Sequence, residues 1–135
     1  MSELSSRAAA LHGPDHNCAQ AVLLCFCEKY GLDPATADAL ACGLGGGARC
    51  GELCGALSGA ILVVGLKTGA AGREPCATEV RRLTDAFRAK AGAVRCHELL
   101  GSLAAPATPE QQAARKTRCG GFIRLAVETL EEMGY

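Results

Sequence analysis

Apolar positions along this chain recur at three- and four-residue spacings, and nowhere do they alternate convincingly in the two-residue period of a half-buried strand. Residues 2–12 predict a short helix that stops at Gly13-Pro14. The stretch from Asn17 to Tyr30 predicts a second helix, with Asn17 as N-cap and Gly31 where a left-handed C-cap belongs. Ala19, Ala21, Val22, Leu23, Leu24 and Phe26 make it apolar nearly all round, which predicts a central position. Asp33-Pro34 joins an N-cap to a proline at the first helical position and opens a third helix. That helix ends at Gly43-Leu44-Gly45-Gly46-Gly47, read as a loop.

From Glu52 to about Lys67 the side chains are apolar or small, and from Leu53 to Leu66 almost without interruption. The stretch is too short to cross a bilayer and fits a buried helix. A buried strand is the rival reading for Ala60–Leu66, because Ile61, Val63 and Val64 are β-branched. Gly55 and Gly59 favour the helix, since they share one face and let a neighbouring backbone approach closely. Pro75 to Ala91 predicts an amphipathic helix with Cys76, Val80, Leu83 and Phe87 inward and the pairs Glu79–Arg82 and Asp85–Arg88 outward. A short piece, Val94 to Leu100, stops at Gly101, and the linker SLAAPATP follows. Thr108-Pro109-Glu110-Gln111 is a capping box, and it opens a last helix to about Met133 whose stripe is Cys119, Phe122, Ile123, Ala126, Val127 and Leu130. Gly120-Gly121 weakens that helix by roughly 2 kcal/mol relative to alanines, enough to expect a kink. The whole predicts an all-α protein, a single compact domain over residues 1–135 with five to seven helices around one core.

Charge narrows the function. The 14 basic and 14 acidic residues cancel, and there are only three Phe, two Tyr and no Trp. Neither the electrostatic footprint nor the stacking surface of a nucleic-acid binder is present. The expectation is no nucleic acid and no membrane. The first residues lack an apolar core with a cleavage site, so the expected compartment is the cytoplasm, where thiols stay reduced. Nine cysteines in such a compartment point to metal or redox chemistry.

Several motifs fall away on context. Gly43 to Ala48 matches a dinucleotide fingerprint in letters, but follows a helix and has no acid at the required distance, leaving a glycine hinge. Gly65-Leu66-Lys67-Thr68 lacks the adjacent Gly and Lys of a P-loop, and His97-Glu98-Leu99-Leu100-Gly101 lacks a second metal-binding histidine. No CxxC is present, which counts against a thioredoxin-like motif and a zinc ribbon.

The cysteines divide. Cys25, Cys27, Cys42 and Cys76 read as small buried hydrophobes. Cys18, Cys54, Cys96 and Cys119 each fall on a different predicted helix and on its apolar face. Four inward thiols can converge in a core, and a four-thiolate site suits an iron–sulfur cluster or Zn. Ligands tens of residues apart are unusual for a structural zinc module. Cys50 shares a helical face with Cys54 and stands as reserve ligand or resolving thiol. Arg49, Arg95 and Arg118 each precede a cysteine and read first as solvated surface residues. Glu52 reads as a first-turn acid, and His12 and His16 as surface residues.

Asn17-Cys18-Ala19-Gln20-Ala21-Val22, the block GGGARCGELCGALSGAILVVGL, Cys96-His97-Glu98-Leu99-Leu100-Gly101 and Cys119 together resemble the C_GCAxxG_C_C family of redox-active proteins, from about residue 14 to 130. The family's first cysteine falls on Cys18, its CGAxxG motif on Cys54 to Gly59, and its last two cysteines on Cys96 and Cys119. Five further cysteines and the 101–109 linker depart from the pattern. The resemblance implies a helical fold, a redox role and kinship with the iron–sulfur domain of split-Soret-type cytochromes. The expectation is a cluster, [2Fe–2S] in type, held by Cys18, Cys54, Cys96 and Cys119, for electron transfer to a redox partner protein or for redox sensing. The rivals are a cluster-free thiol–disulfide protein cycling Cys50/Cys54 or Cys18/Cys54, and a helical interaction domain with a structural Zn or no metal. A glycine-faced, aromatic-poor bundle is also compatible with a homodimer.

Overall fold

Ser2 opens the chain's first helix by accepting from the Ser5 amide, while the Ser5 hydroxyl returns the bond. A computed structural model describes residues 2–135. It contains seven α-helices among those residues: α1 Glu3–Leu11, α2 Cys18–Phe26, α3 Pro34–Ala41, α4 Gly55–Thr68, α5 Arg73–Ala91, α6 Cys96–Leu100 and α7 Pro109–Glu132. The expected caps form. Asn17 takes the Gln20 amide at 2.8 Å, Asp33 takes that of Thr36 at 3.1 Å, and Thr108 takes that of Gln111 at 3.1 Å. Each satisfies an amide that the first turn leaves without a partner.

The centre is the crossing of α2 and α4, with α5 and α7 packed on α4, α1 lying over α2 and α7, and α3 against α2. Small side chains make the crossing close. A Cβ on Gly59 would meet the Ala19 carbonyl oxygen at 2.5 Å, so the backbones of the two helices touch there. Around this contact Leu23, Phe26, Leu57, Leu83, Phe87, Ile123, Val127 and Leu130 are buried. The β-branched run around Ile61, Val63 and Val64 is thus helical, because its glycine face has a helix to meet.

The differences from the sequence reading are local. The second helix ends at Phe26, and Glu28–Tyr30 tighten into a 3-10 turn before Gly31, whose φ of 79° closes it. The fourth starts at Gly55 rather than near Glu52, because Leu53 is drawn into a lone antiparallel bridge with Arg95. The sixth starts at Cys96 for the same reason, and the first part of the linker, Gly101–Ala104, is a 3-10 turn. The last helix runs unbroken past Gly120-Gly121, with Gly120 buried in the packing. The glycine loop is not plain coil either: Cys42–Leu44 form a 3-10 turn and Gly47–Gly51 a wide five-residue turn.

Candidate redox site

The site is built by three local devices. First, Asn17 and Gln20 form a capping box, and their amide groups reach on to α3. Asn17 Nδ2 donates to the carbonyls of Ala41 and Cys42, and Gln20 Nε2 to that of Asp38. Cys18, the first residue of α2, is fixed between them. Second, the segment before α4 is stitched to the segment before α6. Cys54 N donates to Val94 O at 2.8 Å and Cys96 N to Glu52 O at 2.5 Å, and Arg95 grips Glu52 through Nε and Nη2 at 3.1 and 2.9 Å. Third, α7 is tied to the end of α6 and the turn after it: Arg118 donates to Leu100 O at 3.1 Å and Arg115 to Ala104 O at 2.9 Å. Cys119 lies one turn beyond Arg115.

These devices bring Cys18, Cys54, Cys96 and Cys119 to the wall of one cavity of about 450 Å³. Cys54 is 6% exposed and the other three are half-buried. Phe122, stacked at a tilt on Phe87, closes the apolar side. Gly55 belongs to the contact, since a Cβ there would run into the Cys18 sulfur and reach the Leu44 carbonyl oxygen at 3.0 Å.

Burial dominates the protonation of all four. It pushes Cys54 up to about 12, with the Leu57 and Ala56 amides at the start of α4 opposing and the Cys18 and Cys96 sulfurs adding to the rise. Burial pushes Cys119 up to about 11, helped by Cys18 and Cys96 and opposed by the nearby Arg115 guanidinium. Cys18 is raised by burial against the Gly46 and Ala19 amides, and Cys96 by burial against Arg115. At pH 7 the Cys54 thiolate is on the order of one part in 100,000. Thiols so held are weak nucleophiles. Yet charge fixed on the sulfurs would meet amides at the N-termini of α2 and α4 and the Arg115 cation.

The donor set is uniformly soft, which is the chemistry an iron–sulfur cluster takes. No three His, Cys, Asp or Glu side chains among the described residues are grouped as a site for one metal ion. The residues present fit the cluster in type.

The chain matches, over residues 16–133, the family described as "Putative redox-active protein (C_GCAxxG_C_C)". It belongs to that family. No curated protein and no solved structure matches it. The matched span of this C_GCAxxG_C_C chain takes in all four cavity cysteines, from Cys18 to Cys119.

Other expectations need correction. Cys42 is exposed rather than packed, because the 3-10 turn after α3 carries it outward, while Cys27 is buried and Cys25 and Cys76 are half-buried. Cys50 and Cys54 share no helical face, because Cys50 is exposed in the wide turn and Cys54 is the N-cap of α4. Glu52 faces no helix dipole; it is the partner of Arg95. Arg95 is therefore paired and Arg118 bonded, not merely solvated. His12 is half-buried on the cavity wall, held below its usual pKa by burial and then by Lys116 and Arg115. His16 is half-buried against Asp38 at 3.0 Å.

The sequence reading missed Gln20, Gly45, Gly46 and Arg115. Gln20 had a readable signal, since Asn17-x-x-Gln20 has the spacing of a capping box. The glycines had one too: Gly46, Gly47, Ala48 and Arg49 all have φ between 57° and 65°, a left-handed turn that no dinucleotide loop requires. Gly47 is fully constrained, because its Cβ would meet Glu52 backbone atoms at 2.5 and 2.6 Å. Arg115 had none, because its role depends on where α6 ends.

Proposed function

We propose that this protein is a small redox protein in which Cys18, Cys54, Cys96 and Cys119 hold an iron–sulfur cluster, [2Fe–2S] in type, for electron transfer or redox sensing. The observation that carries the reading is the shared cavity wall: four thiols from α2, α4, α6 and α7, with no carboxylate among the lining residues. When bound, such a cluster supplies one-electron chemistry. The chain's own residues supply the rest. The Asn17–Gln20 box and the Leu53–Arg95 bridge position the sulfurs, Phe122 and Phe87 exclude water, and Arg115 and the helix amides stabilise negative charge on sulfur. The raised thiol pKa values favour this reading over a free dithiol, which needs an accessible low-pKa thiolate.

The test is anaerobic preparation followed by iron and acid-labile sulfide analysis with visible and EPR spectra. Iron and sulfide in equal amounts, lost in C54S and C119S but kept in C50S, are the expected result. Colourless, sulfide-free protein after anaerobic reconstitution overturns it, and a two-electron thiol titration in that protein would favour the disulfide reading instead.

A further inference from the structure

The charges around the thiol cavity are segregated in a way the cluster alone does not require. The chain is neutral overall, yet the cavity and the adjoining pocket of about 440 Å³ are lined by Arg49, Arg115 and Lys116 and by no Asp or Glu. Among the described residues four cations away from the cavity pair with carboxylates: Arg82 with Glu79, Arg88 with Asp85, Lys90 with Glu132 and Arg95 with Glu52. Neither Arg49 nor Lys116 forms an ion pair with a carboxylate among the described residues.

Arg49 is placed at a cost. It and Ala48 hold left-handed backbone, which disfavours a side chain by about 1–2 kcal/mol per residue. That turn sets Arg49 on the wall of both pockets. Strained conformations persist where the surrounding structure enforces them, and they cluster at ligand sites. Arg115 is committed to Ala104 O, which leaves Arg49 and Lys116 to meet something from solvent.

We propose that the mouth of this cavity binds a small carboxylate- or phosphate-bearing molecule through Arg49 and Lys116, with Arg115 behind them. The cations line a concavity of small-ligand size rather than ring a flat face, which favours a small anion over an acidic protein surface. Binding stands independently of the cluster; only the anion's part as a redox reactant rests on that reading.

The test is an amide-shift titration of the ¹⁵N-labelled, reduced, metal-free protein with inorganic phosphate, then citrate. Saturable shifts confined to Gly45, Gly46, Arg49, Arg115 and their neighbours are expected. R49Q and K116Q should each weaken binding about tenfold, the loss of one charge-assisted contact, with far-UV circular dichroism unchanged. Added potassium chloride should weaken it further. Shifts that never saturate, or that spread evenly over surface Lys and Arg, overturn the proposal. Binding of polyglutamate without binding of either small anion also overturns it and points to an acidic protein face. A chain that takes up no iron or sulfide yet saturates with phosphate leaves this site standing and removes the cluster. A chain that loads a cluster but binds no anion does the reverse.

Discussion

Gly59→Ala is the sharpest test of how the site is assembled, because the added carbon meets backbone. It would lie 2.5 Å from the Ala19 carbonyl oxygen and 3.1 Å from the Ala19 Cα, and neither can rotate away. The helices α2 and α4 must separate, and with them Cys18 and Cys54 at their starts. Overpacking costs about 1–3 kcal/mol, and a backbone obstacle puts this case at the upper end. Alanine returns about 1 kcal/mol in helix propensity. The expected net loss is about 1–2 kcal/mol. Gly65→Ala is the control on the same helix: nothing lies within 4 Å of its Cβ, so it should gain about 0.5–1 kcal/mol. Urea unfolding followed by circular dichroism should therefore separate the two variants by about 1.5–3 kcal/mol at unchanged m. Equal midpoints would refute the claim that these glycines exist for close approach. Gly55→Ala should spare stability more than Gly59→Ala but displace the Cys18 sulfur, and so lower iron and sulfide uptake.

The remaining predictions concern the thiols and the C-terminus. The folded chain keeps the Cys54 proton up to about 12, whereas the unfolded chain loses it near 9.0. The metal-free protein should thus keep the Cys54 contribution below about pH 9 and lose about 1.4 kcal/mol of it per pH unit between about 9 and 12, so that C54A makes the alkaline slope in urea titrations shallower. A midpoint that does not fall with alkaline pH would contradict the burial of that thiol. Brief native alkylation mapped by mass spectrometry should mark the exposed Cys42 and Cys50 first and Cys27 and Cys54 last; Cys54 labelling ahead of Cys50 would be the contrary result. Tyr135→Phe removes a 2.9 Å bond to Glu79 at a buried ring and should cost about 1 kcal/mol, and an unchanged midpoint would show the bond to be idle.

What the sequence disclosed follows from range. Caps at Asn17, Asp33 and Thr108 and the stripe of the last helix are local patterns, and they appear where the residues place them. The close face of Gly55 and Gly59 was readable because small residues at helical spacing have few other uses. The helix starts at Gly55 and Cys96 were not. They are decided by hydrogen bonds between Glu52 and Cys96 and between Cys54 and Val94, partners brought together by the fold alone. Cys42 misled because thiol burial is a tendency of residue type, whereas its exposure depends on one turn after α3. The cationic lining escaped notice because Arg49, Arg115 and Lys116 sit in different contexts along the chain, one in a loop and two on α7. Net charge hides such segregation by averaging it.

Burial and electrostatics at the four sulfurs pull in opposite directions, and the balance bears on what the site can hold. As free thiols they stay protonated, since desolvation outweighs the amides and Arg115. A metal that replaces the proton removes the cost of bare buried charge and keeps the favourable contacts, so burial that makes the thiols inert also suits them as ligands. Each sulfur that must give up a proton adds up to tenfold to apparent affinity per pH unit. On the proposed reading, cluster assembly should steepen with pH, and C96S, which removes the sulfur whose burial is offset by Arg115 alone, should reduce that steepness. A pH-flat assembly yield would mean that the ligands enter as thiolates already, which is incompatible with the buried wall described above.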